Sequence, residues 1–319
     1  MAEELKDHTT LRVGGPAQNF VRASNESEII AAIEAAGDQP VLILGSGSNV
    51  LISDTGFPGT VIQILPVASN SLAAEVDACS GATLNIGAGE NWDDFVATTI
   101  ERGWAGLETL SGIPGTVGAA PIQNIGAYGH EVSEFVMRVR TYDRQAKALK
   151  TFTNQECQFS YRDSVFKKNP GRYVVLEVQF NLRRGEMTTP ITYAELAAEL
   201  GIEVGQKADV IKTREAVLKI RGRKGMLLNP NDKDTFSAGS FFTNPIVPEH
   251  LIPEGAPKFP QGDGTFKTSA AWLIEQSGIC KGQKLNGAAI SGKHVLAITN
   301  ADNAKAADIA ALAMEVKDA

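Results

Sequence analysis

The stretch from Gly106 to Gly129 is rich in glycine and small side chains over a length that suits a loop and no regular element. Ordered loops this long, without secondary structure of their own, are usually functional. Within it, Ser111-Gly112-Ile113-Pro114-Gly115-Thr116-Val117-Gly118-Ala119-Ala120 leaves the backbone open to close approach by a bulky flat ligand. Gln123-Asn124-Ile125-Gly126-Ala127-Tyr128-Gly129 continues it with amide donors and acceptors. A compact Ω-loop packed by its own side chains is the other reading.

A second glycine loop changes the balance. The apolar run Val41-Leu42-Ile43-Leu44 has the character of a buried strand and stops at Gly45-Ser46-Gly47-Ser48-Asn49. Glycines at such a turn bring successive N–H groups toward an anion, and Ser46, Ser48 and Asn49 add side-chain donors. Val50 stands where a Rossmann fingerprint needs its third glycine, and no P-loop lysine follows. Alone, this loop reads as a tight turn between strands; two such loops in one chain point to a dinucleotide cofactor.

The remaining pattern mixes helices and strands. Helical periodicity over 26–36, capped by Ser24 or Asn25, precedes the 41–44 strand, and Val50-Leu51-Ile52 reads as another strand. Strands are expected at Thr60–Ile64, Leu84–Ala88, Val136–Tyr142, Tyr173–Leu182 and His294–Thr299. Helices are expected at Asp93–Arg102, Tyr193–Leu200, Ala208–Ile220, Ser269–Gln276 and Asn303–Val316. The class is α+β or α/β, with a domain boundary near residues 184–190.

Composition excludes several functions. The 319 residues allow two or three cores, and no apolar run reaches the roughly 20 residues of a membrane span. The charged N-terminus lacks a secretory signal, so a cytoplasmic chain without membrane partners is expected. Cys79, Cys157 and Cys280 are widely spaced and odd in number, against a disulfide framework. The four histidines are scattered, and no metal is expected. A net charge of -7 argues against nucleic acid. The basic run Lys219–Lys224 suits a small anionic ligand or a solvated turn.

Taken in order, HTTLRVGG, LILGSGSNVL, SGIPGTVGAAPIQNIGAYG, FSYRDSVFK, TYAEL and AGSFFTNP resemble the UDP-N-acetylenolpyruvoylglucosamine reductase family, over residues 8 to about 317. The resemblance implies an α+β chain. Its FAD-binding fold would be of the vanillyl-alcohol-oxidase type, built of two α/β subdomains (1–65 and 66–187), with a smaller α/β substrate-binding domain (188–319). It implies FAD as cofactor, NADPH as co-substrate and a UDP-sugar as substrate, in a monomer. Gly45–Asn49 would hold the pyrophosphate. Ser111, Gly112, Ile113, Pro114, Gly115, Thr116, Val117, Gly118, Ala119, Gln123, Asn124, Gly126 and Ala127 would lie against the flavin.

The implied reaction is reduction of an enolpyruvyl ether to UDP-N-acetylmuramate, in peptidoglycan precursor synthesis. Hydride addition places negative charge on C2 and the substrate carboxylate, so the site needs a cation and a proton donor. The resemblance gives these roles to Arg162 and Ser240. Read alone, Arg162 is a structural partner of Asp163 or another acid, and Ala238-Gly239-Ser240-Phe241-Phe242 is the start of a buried strand. Tyr128, Tyr193, Arg221, Lys224 and Asn244 would grip the substrate.

One departure stands out. Family members carry a catalytic glutamate on a short strand after the last helix, whereas here Ala313-Met314-Glu315-Val316-Lys317-Asp318-Ala319 closes the sequence and none of its residues matches. A truncated chain that binds FAD but turns over slowly is the expectation. An oxygen-using oxidase of the same flavin fold and a non-catalytic flavin or UDP-sugar binding protein are the rivals.

Overall fold

A computed structural model describes residues 3–67, 73–77 and 81–319, in two compact units. The first unit comprises 1–3, 17–47 and 57–223, and the second 4–16, 48–56 and 224–319. Cys79 lies outside the described residues.

In the first unit, β1 (Ala17–Ala23), β2 (Val41–Leu44) and β3 (Phe57–Ile64) form a parallel sheet in the order β1-β3-β2. The crossover α1 (Glu26–Ala35) starts where Asn25 accepts the Glu28 N–H and buries Ile29, Ala32 and Ile33. An antiparallel sheet follows, beginning with β4 (Ala73–Asp77) and β5 (Gly81–Gly87). After α2 (Trp92–Glu101) come β6 (Trp104–Ala105) and a hairpin, β7 (Gly126–Ala127) with β8 (His130–Glu131). Then come β9 (Val136–Asp143), β10 (Ala148–Thr153), α3 (Val165–Lys168) and the long β11 (Tyr173–Arg184). The sheet runs β10-β9-β11-β5-β4, with β6 paired to β11.

Helix α2 forms because Trp92, Phe95, Val96, Thr99 and Ile100 recur at helical spacing and all are buried. Its ring of Phe95 lies 5.0 Å from that of Phe180 on β11. The helix pair α4 (Ala194–Leu200) and α5 (Val210–Arg223) completes this unit, packed through Leu196, Val217 and Ile220.

The second unit holds two small three-stranded sheets. One is β12 (Ile246–Pro248), β13 (Phe259–Pro260) and β14 (Thr265–Lys267). Helix α6 (Ala270–Gln276) leads to the other, β15 (Lys284–Leu285), β16 (Ala288–Ile290) and β17 (Ile298–Asn300), which is followed by α7 (Ala306–Asp318). Leu11 and Val13 join the core under α7.

Two strand expectations are corrected. Val50–Ile52 is not a strand; it leads to Asp54, whose carboxylate accepts from the N–H groups of Ala306 and Ala307 at the start of α7. Of the expected His294–Thr299 strand only Ile298 and Thr299 are in β17, because Ser291 Oγ accepts from the N–H groups of Lys293 and His294 and bends the chain into a turn.

Candidate active site

The glycine loops meet within the first unit. Gly45 ends β2 so close to Thr116 that an added Cβ would sit 2.6 Å from the threonine hydroxyl. Gly47 is buried at φ 65°, in the left-handed region that favours glycine. Ser46 is exposed, while Ser48 and Asn49 fall in the second unit.

The longer loop is fastened along the segment that leads into α2. Val117 N–H donates to the Glu90 carbonyl, and Gly118 N–H to that of Ala88, each at 2.9 Å. A Cβ on Gly118 would lie 2.5 Å from that of Ala88. Ser111, Gly112, Thr116, Val117 and Gly118 are buried; Ile113 and Gly115 are half-buried; Pro114 and Ala119 are exposed. Small side chains and a glycine turn at the end of a parallel strand leave the backbone open to close approach, which fits a flavin dinucleotide.

The start of this loop is held by residues that sequence reasoning passed over. Gly112 N–H donates to Asp93 Oδ1 at 2.5 Å. Arg214 donates to both carboxylate oxygens of Asp93, at 2.6 and 2.8 Å. Burial alone would raise the Asp93 pKa, but the bonds from Arg214 and Gly112, with the charge of Arg221, hold it below the ordinary carboxylate value. The available signal was spacing: Arg214 and Arg221 stand seven apart on α5, and so share a face.

At the loop's other end, Tyr128 meets Tyr193 edge to face, with ring centroids 5.5 Å apart. Burial pushes the Tyr128 hydroxyl up to about 12, against the opposing charge of Arg221. Burial likewise lowers the guanidinium pKa of Arg221, and Tyr128 and Asp93 counter it. Gln123 and Ala127 are half-buried beside the buried Asn124. The Asn124 amide donates to Glu131 and to the Ser160 carbonyl, and its oxygen accepts from Ser133 N–H.

Arg162 is not the partner of Asp163, whose carboxylate pairs with Lys168 at 3.2 Å. Its guanidinium donates instead to the carbonyl oxygens of Asn124 and Gly126. Both acceptors are neutral carbonyl oxygens, which orient the guanidinium without themselves cancelling its charge.

The second unit carries Ser240, Lys224 and Asn244. Ser240 does not begin a buried strand; it is exposed, in a segment flanked by bends at Gly239 and Phe241. Its Oγ lies 3.3 Å from His294 Nε2, on the turn set by Ser291. Asp234 braces that turn by accepting from Ser291 Oγ and Gly292 N–H, both at 3.0 Å. Phe241 N–H donates to Leu296 O at 2.7 Å, and Phe241 and Phe242 pack against the unit's core. Asn244 Oδ1 caps α6 through Ala270 N–H, and Lys224 is half-buried.

Two family profiles match this chain: the FAD binding domain over residues 17–151, and the UDP-N-acetylenolpyruvoylglucosamine reductase C-terminal domain over residues 229–319. Both glycine loops fall in the first match; Ser240 and Asn244 fall in the second. UDP-N-acetylenolpyruvoylglucosamine reductase of Cutibacterium acnes is 52% identical over 97% of this chain and 83% of its own length. The enzyme of that name from Thermobifida fusca is 47% identical over 98% and 91%. The crystal structure of UDP-N-acetylenolpyruvylglucosamine reductase from Thermus caldophilus matches with a TM-score of 0.69 and 26% identity, covering 100% of this chain and 94% of that one.

Proposed function

The chain belongs to the UDP-N-acetylenolpyruvoylglucosamine reductase family, and from that premise we propose that it reduces the enolpyruvyl ether of UDP-N-acetylglucosamine enolpyruvate, with NADPH as electron source. The observation that carries this reading is the union, in one chain, of an FAD binding domain and that reductase's C-terminal domain. The product is UDP-N-acetylmuramate, a peptidoglycan precursor, made in the cytoplasm.

The chemistry that FAD supplies when bound is hydride transfer, from NADPH to the enolpyruvyl double bond. Gly45–Asn49 hold the cofactor's pyrophosphate, and Ser111–Ala127 line its ring system. Arg162, fixed by the Asn124 and Gly126 carbonyls, pairs with the substrate carboxylate and stabilises the charge that develops there. Ser240 Oγ–H delivers the proton to C2; a carbanion is far more basic than an alkoxide, so a hydroxyl suffices. Phe241 and Phe242 limit water around that proton. Tyr128, Tyr193, Arg221, Lys224 and Asn244 hold the UDP-sugar.

The test is NADPH consumption by FAD-loaded protein with and without the enolpyruvyl sugar. Consumption that depends on the sugar supports the reductase. Oxygen consumption without NADPH would favour an oxidase of the same fold. FAD binding without any consumption would favour a binding protein.

A further inference from the structure

Helix α5 reaches both ends of the long glycine loop. Arg214 and Arg221 stand seven positions apart on it, close to two turns, so the two guanidinium groups leave the same face. Arg214 grips Asp93, which accepts from Gly112 N–H at the loop's start. Arg221 lies within electrostatic reach of Tyr128 at its end. We propose that the Asp93–Arg214 pair is a positioning device that sets where the loop from Ser111 presents its backbone to the flavin. The proposal rests on the loop assignment above.

Three features make the pair more than a surface ion pair. Asp93 and Arg214 keep only 31% and 18% of their side chains exposed, so solvent screens them weakly. The contact is bidentate, which fixes orientation as well as distance. Gly112 stands at φ 70°, so the turn it makes is available to glycine and strained for other residues. With Asp93 immobilised, the Gly112 amide has one place to point. Burial of Ser111, whose Oγ donates to Glu108 O at 2.7 Å, fixes the preceding step of the chain.

The pair sits at the start of α2, where Asn91 accepts from both Asp93 and Asp94 N–H. The Asp93 backbone is therefore held independently of its carboxylate, and removing the carboxylate frees the loop before it frees the helix.

The experiment measures FAD affinity and the visible absorption of bound FAD in R214K, R214M, D93A and wild type, beside the melting temperature of each apoprotein. The expected order of dissociation constants is wild type, R214K, then R214M and D93A. The last two should be weaker by about tenfold, the size of one lost hydrogen bond to a charged group, with a shifted flavin band. Unchanged affinity and absorption in R214M and D93A would overturn the proposal. So would a lower melting temperature with an unaltered flavin band, which assigns the pair to the scaffold alone. If those two variants do not fold, R214K decides by the same two readings: a lysine cannot fork, so unchanged values overturn the proposal. Gly45→Val tests the loop assignment separately. If it binds FAD like the wild type, that assignment fails, whatever the Asp93 and Arg214 variants do.

Discussion

Arg162 donates its guanidinium N–H to the Asn124 carbonyl at 3.1 Å, and both residues hold left-handed backbone, at φ 56° and 46°. Asn124 is in turn buried and bonded through its own amide to Glu131 and Ser160. The cation is thus mounted on a rigid stem. Replacing Arg162 with lysine keeps the charge and loses the fork. In R162K, FAD binding and flavin reduction by NADPH should be retained, while reoxidation by the enolpyruvyl sugar slows by about 10²- to 10³-fold, as for loss of a preorganised electrostatic group. Rapid-mixing measurement of the two half-reactions checks this.

Ser240 and His294 lie 3.3 Å apart on segments held by separate backbone and Asp234 bonds. Removing the hydroxyl in S240A should leave flavin reduction by NADPH unaltered. Reoxidation by the sugar should fall by about 10²- to 10⁴-fold, the range for general acid catalysis. A cysteine at the same place should recover part of the rate. Comparable loss in both half-reactions would move Ser240 out of the proton-donor role.

The Tyr128 hydroxyl gives a pH signature. Its pKa rises from the ordinary 10.0 to about 12, chiefly by burial. In the unfolded chain it ionises near its ordinary value, while in the fold it stays protonated. The stability it contributes is therefore complete below pH 10 and is lost as pH rises toward about 12. Y128F should flatten the decline of the urea midpoint across that window; an identical decline would place its origin elsewhere.

Asn91 accepts from the Asp93 and Asp94 N–H groups as the cap of α2. N91A should destabilise the fold by about 1 kcal/mol, read from urea unfolding. Because Asp93 also fixes Gly112, the same variant should weaken FAD binding slightly.

Much of this was legible in the sequence, for local reasons. The VLIL strand, the Asn25 cap and the α2 periodicity depend on neighbours within a turn or two of chain. The glycine loops announced themselves by composition, and AGSFF by its motif. What escaped depends on contacts far apart in sequence. Asp54 capping α7 spans 252 residues, which made an apolar tripeptide before it look like a strand. Asp93 and Arg214 are separated by 121 positions, and His294 reaches Ser240 only because Ser291 turns the chain. The Arg162–Asp163 pairing failed because adjacent residues diverge: Asp163 turns to Lys168 and Arg162 to two carbonyls.

The proposed function requires that a reducible flavin in this chain hand its electrons to an enolpyruvyl UDP-sugar. Anaerobic reduction of the FAD-loaded protein with one equivalent of NADPH, followed by mixing with UDP-N-acetylglucosamine enolpyruvate, tests it most directly. Rapid return of the oxidised flavin spectrum with stoichiometric UDP-N-acetylmuramate is the expected result. A flavin that NADPH reduces, and that stays reduced until oxygen is admitted, would contradict it.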